Sequence, residues 1–199
     1  MAYPKLTLSI ILLNFIAYAL QLAIPGVTET FSLTPNQVQP YQFFTYMFMH
    51  DPSGVFHILI NMVVLIVFSG RLEKEIGWKP YLFVYLAAGL GSAFLYLGLP
   101  HDPDALLLGA SGSIFGVMAA FAVLYPAEWI FIPPGIPLPA IAAIVIVALI
   151  ELFSGALGLA PNIANFGHLG GIITGVAFMA WWKYLRRKPV QKDFEFVWE

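Results

Sequence analysis

An all-α membrane protein, six spanning helices in one bundle with a first loop that dips into the membrane, is the fold class this sequence predicts. Three observations predict it. Of 199 residues, 60% are hydrophobic and only 10% charged, where soluble domains carry roughly 25% charged residues. Six apolar stretches, at 6–24, 55–70, 80–98, 110–125, 138–154 and 166–185, suit a hydrocarbon core about 30 Å thick. Charge then alternates between the connecting segments. With the N-terminus inside, all nine basic residues fall on the inner side: Lys5; Arg71, Lys74 and Lys79; and Lys183, Arg186, Arg187, Lys188 and Lys192. Segments 25–54, 99–109 and 155–165 hold no Lys or Arg but carry Glu29, Asp51, Asp102 and Asp104. This positive-inside pattern predicts a multi-pass protein of the cell (inner) membrane with both termini cytoplasmic. An odd number of spans would break it.

Composition narrows the function classes as well. A net charge of −2 gives no reason to expect a nucleic-acid partner. The absence of cysteine excludes disulfides and thiolate-held metals. The whole chain, 1–199, reads as a single domain without internal repeats.

Taken in order, the first stretch follows a single Lys5. It is too long for a signal-peptide core and lacks a small-residue cleavage site, so it reads as a retained span. Segment 25–54 is long, and its second half, Tyr41-Gln42-Phe43-Phe44-Thr45-Tyr46-Met47-Phe48-Met49, is aromatic and uncharged. That pattern fits an interfacial segment, either an aromatic anchor or a surface that contacts substrate. Span two opens with His57 and Asn61, four residues apart and therefore on one helix face. Polar side chains there need a helix–helix partner or a water-filled cavity. Span three carries Gly89, Gly91 and Ser92, which read as close-packing positions.

Span four begins Leu108-Gly109-Ala110-Ser111-Gly112-Ser113-Ile114-Phe115-Gly116. A serine between small residues at the mouth of a membrane helix suits a nucleophile, which a reacting backbone must approach closely. The helix N-terminus adds free N–H groups and positive dipole for a developing oxyanion. Span five follows a Pro-rich segment, Pro133 to Pro139, and carries Glu151 near its outer end, where solvation is expected. Span six holds His168 among Gly167, Gly170, Gly171 and Gly175. Gly112-x-x-x-Gly116 and Gly171-x-x-x-Gly175 predict close contact between spans four and six.

Depth links three of these residues. Ser111, His168 and His57 each stand 14 residues from the inner exit of their spans, taken at Tyr125, Trp182 and Arg71. At 1.5 Å per residue all three lie about 21 Å above the inner interface, submerged by roughly 10 Å from the outer face. One constellation fits: Ser111 as nucleophile, His168 as its general base, and His57 with Asn61 as oxyanion donors beside the Ser111 N–H. With no Asp at that depth, a dyad is expected, and Phe115 could hold the imidazole by ring packing. Ser113 lies roughly 200° around the helix from Ser111, and is expected to bond to backbone or a neighbouring span.

These residues resemble the rhomboid intramembrane serine proteases. The matching elements are Gly109-Ala110-Ser111-Gly112, His168-Leu169-Gly170-Gly171 with Gly175, and His57-x-x-x-Asn61, on spans four, six and two. The resemblance runs from about Tyr41 to Arg187. It implies a six-span rhomboid-like bundle in its minimal prokaryotic form, free of metal and cofactor. Ser111 and His168 would be catalytic, His57 and Asn61 would bind the oxyanion, and Gly109 and Phe115 would line the dyad. The partners implied are transmembrane protein substrates in the lipid bilayer, cut near their outward end. Span five and segment 25–54 would form the substrate entrance and the membrane-embedded loop. The chain departs from the family in two places. Tyr41-Gln42 stands where many members have Trp-Arg, and Asp51-Pro52-Ser53-Gly54 lengthens the turn after His50, which leaves His50 without an assigned role.

Two other classes compete. An inactive rhomboid-like protein that binds membrane clients would lack Ser or His, and this chain has both. A channel or transporter would carry polar residues across the bilayer, whereas here they cluster near one face.

Overall fold

The computed structural model describes residues 4–100, 102, 104–132, 135–159 and 164–186. Pro133 and Pro134 of the Pro-rich segment, and the basic residues Arg187, Lys188 and Lys192, lie outside the described residues. The long helices are α1 (Lys5–Ala23), α4 (Val55–Ile76), α5 (Trp78–Gly98), α6 (Ser111–Leu124), α7 (Ala140–Leu157) and α8 (Asn165–Leu185). Two short helices, α2 (Val27–Phe31) and α3 (Gln42–Thr45), lie in the first loop. Among the described residues four helices, α1, α4, α5 and α7, are long and apolar enough to cross a membrane. α6 is apolar but has 14 residues, about 21 Å at 1.5 Å per residue. It is too short to fill a core about 30 Å thick, so its first residue starts inside the bundle.

α6 is the centre of the molecule. It is apolar on every side, as a helix enclosed by others must be, and Val117, Ala119 and Ala120 are fully buried. Glycines let its neighbours come to backbone contact. A Cβ at Gly171 would collide with the Gly112 carbonyl oxygen, and one at Gly175 with the Gly116 carbonyl oxygen. Spans four and six therefore touch where the two small-residue patterns predict. On the other side Gly112 faces Ser92, and Gly116 faces Ala88, so α5 closes on α6 by the same means.

α4 continues six residues beyond its expected end at 70, through Arg71 and Lys74 to Ile76. Leu72 and Ile76 are buried there, which repays the extension. Between them Glu73 turns its carboxylate onto the start of α1. It accepts from the backbone N–H of Leu6 at 3.0 Å, that of Thr7 at 2.8 Å, and the Thr7 hydroxyl at 2.7 Å. Pro4 offers α1 no side-chain cap, so a carboxylate from another helix satisfies donors that would otherwise be orphaned and complements the helix dipole.

The first loop is tied down at three places. Tyr46 and Met47 are buried, and the Tyr46 hydroxyl donates to the Gly89 carbonyl at 2.6 Å. Tyr41 and Phe44 remain about half exposed, so the aromatic segment has a bundle-facing and an outward-facing side. Gln42, standing where an arginine is common, does the fastening with a neutral amide. Its oxygen accepts from the backbone of Gln39 at 3.0 Å, and its nitrogen donates to the Thr30 carbonyl at 3.1 Å. Leu33 pairs with Leu107 in both directions, at 2.9 and 3.0 Å, which joins the first loop to the segment leading into α6.

One element departs from an all-helical expectation. Trp129–Ile132 (β1) and Ile136–Pro139 (β2) form an antiparallel hairpin between α6 and α7, with Trp129 opposite Pro139. Pro137 and Pro139 are tolerated in it because a two-stranded ribbon has free edges where a missing N–H costs nothing. At this end of the bundle Arg71 pairs with Glu128 at 2.7 Å, and Lys183 donates to the Val123 carbonyl at 3.2 Å. Cations thus gather at the C-terminal end of α6, where they complement its dipole, and Ser111 lies at the opposite end.

Candidate active site

The approach to α6 fixes where Ser111 stands. Gly109 adopts φ +116°, a backbone conformation open to glycine and strained for other residues. Its N–H donates to the Tyr46 carbonyl at 3.0 Å. Two residues later Ser111 opens the helix, in the turn whose backbone N–H groups have no intrahelical acceptor. A Cβ on Gly109 would sit 3.2 Å from His57 Nε2 and 3.6 Å from Ser111 Oγ. Gly109 is therefore the small residue between the serine and the α4 histidine.

His168 comes from the first turn of α8. Its Nε2 lies 2.9 Å from Ser111 Oγ. The Phe115 ring, one turn below Ser111, stacks on the imidazole with centroids 4.3 Å apart and planes 17° from parallel. Ser111 and His168, which the residue count sets at one depth, are in hydrogen-bond contact, and the Phe115 ring packs on the face of the imidazole.

His57 is oriented by its own loop. The backbone N–H of Asp51 donates to His57 Nδ1 at 3.3 Å. In a neutral ring the acceptor at Nδ1 leaves the proton on Nε2, the atom beside Gly109 and Ser111. The tautomer is assigned from this hydrogen-bond pattern. Asn61 donates one amide hydrogen to the His57 carbonyl at 3.0 Å and keeps a second donor. His57, Asn61, Ser111, Phe115 and His168 all line one cavity of about 820 Å³, walled by Asp51, Asp102 and 105–108 from the loops, by Ser154 and Gly155 of α7, and by Gly158 just past its end.

His50, left without a role by its sequence, supports this wall from behind. It is fully buried, and its ring meets that of His57 edge-on at 5.1 Å. Burial pushes its imidazole down to about 4, so it stays neutral beside His57. Gln21 of α1 clamps its backbone, donating to the carbonyl at 2.7 Å and accepting the N–H at 2.9 Å.

Two expectations need correction. Ser113 does point away from His168, but no hydrogen bond of normal geometry reaches its buried hydroxyl, although it faces Gly89 and Tyr85. Glu151 is not solvated. Its side chain is 13% exposed, and Oε2 lies 3.1 Å from His168 Nδ1. Gly155, one turn along the same α7 face, explains the difference. It lets Phe166 and Asn165 pack against α7, which draws the helix onto the start of α8. The signal was present as a carboxylate and a glycine four residues apart on one face of a span.

Residues 37–185 match the family model of the Rhomboid domain. RHOMBOID-like protein 1 of Arabidopsis thaliana is 31% identical over 144 residues, 72% of this chain and 35% of that protein. Rhomboid-type serine protease 2 of Emericella nidulans is 34% identical over 143 residues, 72% of this chain and 27% of that protein. Inactive rhomboid protein 1 of Rattus norvegicus is 30% identical over 140 residues, 69% of this chain and 15% of that protein. The chain spans roughly a third or less of the length of these relatives. With several helices apolar enough to cross a bilayer, it is a multi-pass membrane protein. The match covers every element that carries a residue of the cavity, and on that ground this chain belongs to the rhomboid family.

Proposed function

We propose that this protein is an intramembrane serine endopeptidase that cuts transmembrane protein substrates near their outward end. The observation that carries the reading is the contact between His168 Nε2 and Ser111 Oγ at the N-terminus of a helix inside the bundle. Ser111 Oγ attacks the scissile carbonyl carbon while His168 Nε2 takes the hydroxyl proton. Charge builds on the carbonyl oxygen, where His57 Nε2–H, the second Asn61 N–H and the Ser111 backbone N–H stabilise it. The intermediate collapses, the C–N bond breaks, and His168 returns its proton to the departing amine. Water then attacks the Ser111 ester and gives a proton to His168. The ester C–O bond breaks, the acid product leaves, and His168 restores the proton to Ser111 Oγ. No step calls for a metal or cofactor.

All six long helices cross the bilayer in this reading, with both termini cytoplasmic and 1–199 as one membrane domain. The cavity supplies the water that hydrocarbon denies. Ile60 of α4 and Ser154 of α7 line it from two helices, and in this reading a substrate helix enters between them. The alternative is a client-binding protein without turnover; one of the relatives, that of the rat, is named inactive, but a protein without turnover would have no use for the Ser111–His168 contact.

Two measurements test this. Wild type reconstituted in liposomes should cleave a test transmembrane substrate, and Asn61→Ala should lower kcat by about 10²–10³ with KM little changed. A defect confined to KM would instead make Asn61 a packing residue. The chain has no cysteine to interfere with labelling. Ser111→Cys and His168→Cys should therefore react with a membrane-impermeant thiol reagent added outside, and stay unmodified when it is confined inside sealed vesicles. Labelling from within would overturn the topology.

A further inference from the structure

The base in this site needs its proton on the far nitrogen. For Nε2 to accept from the Ser111 hydroxyl, a neutral His168 must carry its hydrogen on Nδ1. Nδ1 is buried and forms no aligned hydrogen bond, and the same is true of Glu151 Oε2. The two atoms stand 3.1 Å apart, on side chains 12% and 13% exposed. A buried donor and acceptor left unsatisfied are costly, and the glutamate's terminal torsion is broad and soft enough to let the two face each other. Among the described residues no lysine or arginine pairs with Glu151. A carboxylate inside a span calls for a partner, and His168 is the one the fold presents.

We propose that Glu151 is a positioning residue: it accepts the Nδ1–H of His168, selects the tautomer with a free Nε2, and makes the site a Ser111–His168–Glu151 triad. Three contacts then lock the imidazole. Phe115 fixes its plane, Ser111 holds one nitrogen, and Glu151 removes the remaining rotation within that plane. When Nε2 takes the serine proton, the carboxylate also offsets the charge of the imidazolium in a medium where an unpaired ion is costly. The helix that brings Glu151 buries fewer residues than any other of the six long helices. Its buried residues, Ala140, Ala143 and Ile144, all lie in the first turns, while Leu149, Ile150, Leu152 and Phe153 stay exposed. Glu151 thus gives the outer half of α7 a polar tie to the site.

This proposal rests on reading Ser111 and His168 as nucleophile and base, so its test includes a readout that needs no turnover. Histidine ¹⁵N spectra of detergent-solubilised protein report which ring nitrogen is protonated, and His168→Ala assigns the signal among four histidines. Wild type should show His168 protonated on Nδ1. Glu151→Gln should shift it toward the Nε2–H form, and lower kcat at least about tenfold with KM unchanged. Loss of that carboxylate from a soluble triad costs about 10⁴-fold. A wild-type His168 protonated on Nε2 overturns the proposal without any variant. Unchanged spectra and unchanged kcat in a folded Glu151→Gln protein overturn it too, while leaving the protease reading intact. A Glu151-dependent tautomer in a wild type that cleaves nothing supports the positioning and removes the protease reading.

Discussion

Ser111→Ala abolishes cleavage of a reconstituted transmembrane substrate, and Ser113→Ala retains it. The expectation follows from where the two hydroxyls point. Ser111 is the first residue of α6, its Oγ is 2.9 Å from His168 Nε2, both residues line the cavity, and the helix N-terminus lies beneath the serine. Ser113 is 1% exposed and turned to the α5 side, away from the cavity lining. In a soluble serine protease, loss of the nucleophile costs about 2 × 10⁶ in kcat, enough to take a membrane protease below detection. Alanine at 113 removes a buried hydroxyl without a well-aligned partner, so its effect is on packing alone. An active Ser111→Ala protein would move the chemistry elsewhere.

Gly175→Ala is expected to destabilise the bundle by about 3 kcal/mol or more, at the upper end of what overpacking costs. The added methyl would meet a backbone oxygen, that of Gly116, which cannot rotate out of the way as a side chain can. α6 and α8 would have to separate, and with them Ser111 and His168. Gly70→Ala is the control. It also sits mid-helix, but its methyl would find only the Pro4 ring at 3.6 Å, an ordinary contact. There the gain in helix propensity, roughly 0.5–1 kcal/mol, should leave the protein as stable as wild type or more so. Thermal unfolding in one detergent compares the two. Equal melting of Gly175→Ala and wild type would deny the close approach of these helices.

Much of this arrangement is legible in the sequence because membrane helices are governed by few terms. Apolar length marks helices, and a count of residues from an interface ranks side chains by depth. That count is enough to gather Ser111, His168 and His57 into one layer. Small-residue spacing adds which helices touch, as at Gly171 and Gly112. Depth along a helix does not give rotation about it, and there the sequence is silent. Glu151, near the outer end of its span, reads from the sequence as solvated; that it turns to His168 instead depends on how α7 leans on α8 at Gly155 and Phe166. The hairpin at 129–139 was hidden by its prolines, because propensity does not distinguish an edge from a core strand. Glu73 was hidden for another reason. Its partner, the start of α1, is 66 residues away, and no local pattern announces a cap supplied by another helix.

The central claim is that Ser111 is a nucleophile activated by His168. Labelling with a fluorophosphonate probe, followed by peptide mapping, tests it most directly. The probe's phosphorus bonds to an activated serine oxygen as fluoride leaves, and no substrate need be known. Wild type should carry one adduct, on Ser111, and His168→Ala should lose it while keeping its fold. An adduct on Ser113, no adduct in folded wild type, or full labelling of His168→Ala would contradict the account.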